Sequence, residues 1–172
     1  MRLSKGSFVL ALGLLALACN PIKYVPDNEH LLNKVKLESD NKTILKEDIA
    51  TYVRQTPNNE IFGIFKMQLG IYNLSGPDTS KWINRRLKKM GEEPVIYNPS
   101  LTTITEREIS KLFSNKGYMD ASVKSEVTFP KEKVADVTYT IQSNKPYTLN
   151  SYSVNISQPE LAEIASDTAE SL

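Results

Sequence analysis

Two alternating runs on either side of a short turn do most to limit what this chain can fold into. In the first, Ala121, Val123, Ser125, Val127 and Phe129 fall on one side, and Lys124, Glu126 and Thr128 on the other. Pro130-Lys131-Glu132-Lys133 follows as a turn, and then Val137, Tyr139 and Ile141 alternate with Asp136, Thr138 and Thr140. A period of two with opposite chemistry on its two sides is the mark of a half-buried strand, so the pair predicts a β-hairpin with one apolar face. Such a face has to be covered. The preceding segment offers the cover. Thr102–Lys116 reads as a helix with Ile109, Leu112 and Phe113 as its buried stripe. Thr105 and Glu108 fit a capping box, and Gly117 stands where a left-handed C-cap is wanted.

Upstream, Val35 and Leu37 alternate with Lys34, Lys36 and Glu38, which predicts another half-buried strand over Leu31–Asp40. A helix over Leu45–Gln55 follows, with Ile49, Tyr52 and Val53 on one face and Pro57-Asn58-Asn59 to end it. Residues 60–100 are less regular and read as an insert. They contain a predicted helix over Lys81–Met90, capped by Asp78, Thr79 or Ser80 and stopped by Gly91. Its apolar side is Trp82, Ile83, Leu87 and Met90; Arg85, Arg86, Lys88 and Lys89 crowd the rest. The order strand, helix, insert, helix, strand, strand predicts an α+β fold. One three-stranded sheet would bury one face under helices and leave the other wet. After Pro146 the opening pattern repeats, with a strand over Tyr147–Ile156 and a helix opened by Pro159 and Glu160 through Leu161, Ile164 and Ala165.

The N-terminus reads as a targeting segment. Arg2 and Lys5 precede the apolar run Phe8–Ala18, which is too short to span a bilayer, where about 20 apolar residues are needed. Ala16-Leu17-Ala18-Cys19 is similar to a bacterial lipobox, with Ala16 where that pattern has Leu. Cys19 is the only cysteine, and lipidation would remove the liability of a lone thiol in an oxidising compartment. The plainer alternative is an ordinary signal peptide followed by an unrelated cysteine. The predicted organisation is a leader over 1–18, a polar tether over 19–30, a domain over 31–146 containing the insert 60–100, and an incomplete second unit over 147–172.

The formal net charge is +1, so nothing suggests bulk attraction to nucleic acid. No second cysteine is present for a disulfide or a thiolate metal site. His30, the only histidine, reads as a solvated surface residue with no nucleophile constellation around it. Glu92-Glu93 and Glu106/Glu108 are adjacent or alternate positions, and neither shares a helix face as a carboxylate dyad would. No metal-ligand spacing and no phosphate-cradling loop is evident. The chain is expected to be no enzyme and to use no cofactor. The basic helix 81–89 has two readings: a face lying near anionic lipid headgroups, or a solvated face with Trp82 in the core.

One junction resembles a known family. Lys116-Gly117-Tyr118-Met119-Asp120-Ala121-Ser122-Val123 is similar to the helix-to-strand junction of POTRA domains, with Gly117, Tyr118 and Ala121 as its motif residues. The β-α-α-β-β order is similar too. These domains are the periplasmic modules of the BamA/TamA superfamily of outer-membrane assembly proteins. Phe62-Gly63-Ile64-Phe65-Lys66, Tyr72-Asn73-Leu74-Ser75-Gly76, Asp78–Asn84 and Gly91–Tyr97 resemble the lipid-tagged, TamA-like proteins of Bacteroidetes-type bacteria. The resemblance implies a POTRA-like fold with a three-stranded mixed sheet, a helical insert between the helices, and the start of a second POTRA unit. It also implies a module facing the periplasm, held to the outer membrane by lipid on Cys19. Its partners would be unfolded outer-membrane proteins or assembly-complex subunits. An open strand offers unpaired N–H and C=O groups to an extended peptide. The edge Val123, Lys124, Ser125, Glu126, Val127 and Thr128 is therefore the candidate binding site. A transmembrane barrel needs about eight strands, and none is seen, so the expectation is an N-terminal piece of a longer protein. A free-standing lipoprotein scaffold or accessory subunit is the alternative.

Overall fold

The computed structural model describes residues 21–61, 66–151 and 157. The leader, Cys19 and the helix expected beyond Pro159 lie outside them, as do residues 62–65 of the insert. Three strands form one sheet: β1 (Leu31–Ser39), β2 (Ser122–Lys131) and β3 (Val134–Gln142), in the order β1-β3-β2. β1 runs parallel to β3 and β2 antiparallel to it, so the sheet is mixed and β3 is central. Four helices complete the described chain: α1 (Lys46–Ala50), α2 (Met67–Leu74), α3 (Trp82–Met90) and α4 (Pro99–Asn115). The fold is α+β, with α2 and α3 as an insert between α1 and α4.

The alternation of β3 decides where the core sits. Ala135, Val137, Tyr139 and Ile141 are buried on the helix side, while Thr140 and Gln142 are exposed. Ile109, Leu112 and Phe113 of α4 pack with Ile141, Ile44 and Ile49, and Leu37, Tyr52, Tyr118, Ala121 and Val123 close around them. The opposite face of the sheet carries the exposed Lys34, Lys36, Glu38, Lys124, Glu126 and Thr128. A second cluster joins Leu32, Val137 and Tyr139 to Val95, Tyr97 and Val127. Burial holds the Tyr139 hydroxyl above its ordinary pKa, opposed by hydrogen bonds to Thr105 and Thr102.

α4 begins earlier than its capping-box signal suggested. Asn98 is the N-cap, its side chain accepting from the Ser100 N–H (2.9 Å), and Pro99 occupies the first helical position. Thr105 is no cap. It is fully buried in mid-helix, donates to the Leu101 carbonyl (2.8 Å) and accepts from the Arg54 N–H (3.0 Å). That last bond also explains why α1 is short. The backbone leaves the helix in tight turns, Tyr52 N–H to Ile49 O and Val53 N–H to Ala50 O, and Arg54 then pairs with α4 instead of with its own helix.

The hairpin turn is tighter than the four residues expected. β2 extends to Lys131, which pairs with Val134, leaving Glu132 and Lys133 as the connection. Lys133 takes a positive φ of 54°. The register shifts between Thr128 and Lys131, so Phe129 and Pro130 form a bulge. A bulge tolerates the proline, which has no N–H to give to the ladder.

Residues 21–30, expected as a loose tether, are docked on the domain. Val25 is buried with Leu31 and Leu69. Lys133 Nζ reaches Asp27 Oδ1 (2.6 Å) and the Val25 carbonyl (3.3 Å). The apolar Ile22 and Val25 inside an otherwise polar stretch are what seat it. At the other end, the described part of the strand expected over 147–156 carries no strand. Tyr147 instead donates its N–H to Gly117 O (2.8 Å) and its hydroxyl to Asp120 Oδ2 (3.0 Å).

Candidate functional site

A three-stranded sheet has two edges, and here they differ. The outer edge of β1 is covered at its start. Leu32 N–H donates to the Val95 carbonyl (2.7 Å), and Tyr97 N–H donates to the His30 carbonyl (2.7 Å). The side chain of Asn58 holds this covering segment in place, donating to Glu93 O (2.7 Å) and accepting from Val95 N–H (3.0 Å). Asn33 sits at a register shift in β1, and Lys66 Nζ donates to its carbonyl. Burial lowers the Lys66 pKa, opposed by the nearby Glu60 and Asp136 carboxylates. The insert thus occupies the start of the β1 edge with a backbone acceptor, a backbone donor and an ammonium donor.

The outer edge of β2 is different. Residues 122–128 pair regularly with 136–142 of β3. In an antiparallel ladder, residues alternate between those bonded across and those whose N–H and C=O point outward. Ser125 N–H donates away from β3, to Glu106 Oε1 of α4 (2.6 Å). Val123, Ser125 and Val127 are therefore the outward set, and Lys124, Glu126 and Thr128 hold the hairpin together. The six candidate residues form one regular stretch of edge strand, with a single carboxylate over its middle. A strand added to β2 would have to displace Glu106.

Gly117 sets the start of that strand. It has a φ of 90° and follows the C-cap of α4. Gly117 N–H donates to Ser114 O and Tyr118 N–H to Phe113 O, both at 3.0 Å, closing a Schellman motif. The Tyr118 ring meets Phe113 edge-on with centroids 5.9 Å apart, and Ala121 N–H bonds back to Tyr118 O. Helix end and strand start are thereby fixed as one unit. At the far end, His30 is half-buried against the Phe129 ring, 4.6 Å between centroids, and is not the solvated histidine expected.

Sequence reasoning missed Glu106 as an edge group. The signal was present: it lies four residues after the buried Thr102, which puts it at the rim of the α4 buried stripe. Glu108 is elsewhere, paired with Arg54 (3.3 Å). Trp82 is not in the core. It is 66% exposed, and α3 has no buried residue. α3 packs through Asn84, Leu87 and Lys88, and its N-cap, Lys81, makes no side-chain cap. Gly91 ends it in an extended conformation, with the Tyr72 backbone against it. Among the described residues, no cluster of three His, Cys, Asp or Glu side chains is placed to hold a metal, and no helix is long and apolar enough to cross a membrane.

A family model described as "POTRA: Surface antigen variable number repeat" matches residues 31–144, more than half of the chain. The crystal structure of Haemophilus influenzae BamA POTRA3-5 is similar with 13% identity and a TM-score of 0.31, covering 77% of this chain and 76% of that one. No curated protein matches the chain.

Proposed function

The chain belongs to the POTRA family, and on that premise we propose that it binds extended polypeptide along β2 as a module of a BamA/TamA-like outer-membrane assembly or translocation factor. Its clients are unfolded outer-membrane proteins or partner subunits. In this reading residues 1–18 are removed as a leader, and Cys19 carries the lipid that holds the domain at the outer membrane, facing the periplasm. Residues 31–146 form the first unit, and residues from 147 on begin a second. The work of the domain is recognition, with no covalent chemistry.

The observation that carries this reading is the contrast between the two edges. β1 is closed over its first residues, Leu31–Asn33, by Val95, Ile96, Tyr97 and Lys66. β2 keeps the outward groups of Val123 and Val127 on an otherwise regular strand. Main-chain bonding along such an edge gives affinity with little demand on client sequence, which suits a receptor for many strands.

Proline substitutions test it. Val127→Pro removes an outward N–H and leaves the β2–β3 bonds intact, whereas Thr128→Pro removes a ladder bond. The ligand is a synthetic peptide of about ten alternating apolar and polar residues, the length of a membrane β-strand. Val127→Pro should lower the melting temperature through lost packing against Val137 and Tyr139, and in protein shown by circular dichroism to be folded it should weaken crosslinking of that peptide. Undiminished crosslinking to folded Val127→Pro rules out β2 as the binding edge.

A further inference from the structure

α3 holds the insert through one side and turns a mixed face outward. With 100° per residue, Trp82, Ile83, Arg85, Arg86, Lys89 and Met90 lie on the arc turned away from the half-buried Asn84 and Lys88, with Leu87 at its margin. Trp82, Ile83 and Met90 are 66%, 45% and 60% exposed. The helix contains no acidic residue, and among the described residues no ion pair engages Arg85, Arg86 or Lys89. The nearest acids downstream are turned to other tasks: Glu92 accepts from Asn59 N–H, and Glu93 from the Tyr72 hydroxyl.

We propose that α3 is a membrane-contact helix that seats on anionic phospholipid headgroups. Charge complementarity selects this occupant. This face sets three cations, and no acid, among its exposed apolar side chains. The headgroup layer accepts both at one depth, with tryptophan at the interface and Arg and Lys among the phosphates. A second observation concerns position. Lys23 Nζ donates to the carbonyls of Asn73 and Ser75 (2.8 Å each), and the Lys88 ammonium lies 5.3 Å from the centre of the Tyr24 ring. The docked N-terminal arm therefore runs along the α2–α3 pair. Cys19 is four residues before Lys23, within about 14 Å of fully extended chain.

Trp82 is the only tryptophan and reports directly on this face. The test uses the chain from Asn20 to Leu172, without leader or Cys19, so the outcome does not depend on lipidation. Nor does it depend on strand-peptide binding, which is measured separately. Vesicles containing phosphatidylglycerol should shift Trp82 emission to the blue and sediment with the protein. Phosphatidylcholine vesicles should not, and high salt should reverse the effect. Each basic residue near an anionic surface is worth about fivefold in partitioning, so Arg85→Gln/Arg86→Gln should bind roughly thirtyfold more weakly. Both side chains are exposed, and the variant should melt like the parent. Emission unchanged by phosphatidylglycerol overturns the proposal, as does a folded double variant that binds as tightly as the parent. A blue shift that grows with protein concentration in the absence of lipid also overturns it, because a second copy then covers the helix.

Discussion

Glu106→Ala uncovers one backbone N–H in the middle of the β2 edge and should make that edge bind extended peptide more tightly. In the parent, Ser125 N–H is committed to the Glu106 carboxylate at 2.6 Å. Hydrogen bonds to a charged group contribute about 1.5–3 kcal/mol. Glu106 is only half-buried, which argues for the lower end. An incoming strand has to break that bond before Ser125 can pair, so its removal should raise affinity by about 1.5 kcal/mol, close to tenfold. The folded domain loses the same bond, so urea unfolding should show a stability loss of about 1.5 kcal/mol. Glu106→Gln keeps an acceptor without its charge and should fall between alanine and the parent. The assay is fluorescence anisotropy of a labelled alternating peptide, read beside the unfolding curve. A folded Glu106→Ala domain with unchanged or weakened peptide affinity would refute the reasoning, because Glu106 would then not lie in the path of the added strand.

Gly91→Ala would place a methyl group 2.6 Å from Tyr72 Cα, against backbone that cannot swing aside. Overpacking of this kind should destabilise the domain by about 2–3 kcal/mol in urea titration. Gly117→Ala puts a side chain at a φ of 90° and should cost about 1–2 kcal/mol, seen as a lower melting temperature. Ser143 N–H donates to Asp40 Oδ1 (2.9 Å), and that bond holds the Asp40 carboxyl below its ordinary pKa. The unfolded chain therefore takes up the proton first. The contribution is fully present above the ordinary carboxylate range and is lost as pH falls through the depressed value. Asp40→Asn should flatten that part of the stability–pH curve, and an unaltered acid limb would contradict it. Cys19→Ser in cells should shift the protein from the membrane fraction toward the soluble fraction, followed by immunoblotting.

What could be read from the sequence was whatever local chemistry decides. The hairpin was legible because its alternation faces one covering helix. Gly117 was legible because a helix stripe stops just before it. The tertiary choices were hidden. An N-cap competes with its neighbours, and Asn98 with Pro99 outweighs Thr105, whose hydroxyl is needed by Arg54. Periodicity shows that α3 is two-sided without showing which side meets the domain. There the small Asn84 and Gly91 allow close approach to the neighbouring backbone, and Trp82 is left outside. The docking of residues 21–30 rests on single contacts such as Val25 with Leu69, which no local pattern announces. At the edge, the strand was visible in sequence, but the carboxylate lying across it comes from another element.

The parallel pairing of β1 with β3 bears on time. Leu31 finds its ladder partner at Val134, roughly a hundred residues later, and β3 is the strand beside which β1 lies. At about 5–20 residues per second of synthesis, β1 exists for roughly 5–20 s before its partner has been made. Loop closure over such a span is entropically slow, so the sheet forms late and as a whole. During that wait β1 is itself an unpaired strand, exposed to wrong partners. Lys34, Lys36 and Glu38 at alternate positions, charged and still exposed after folding, guard it against them. A domain proposed to receive unfinished strands thus spends its own early life as one.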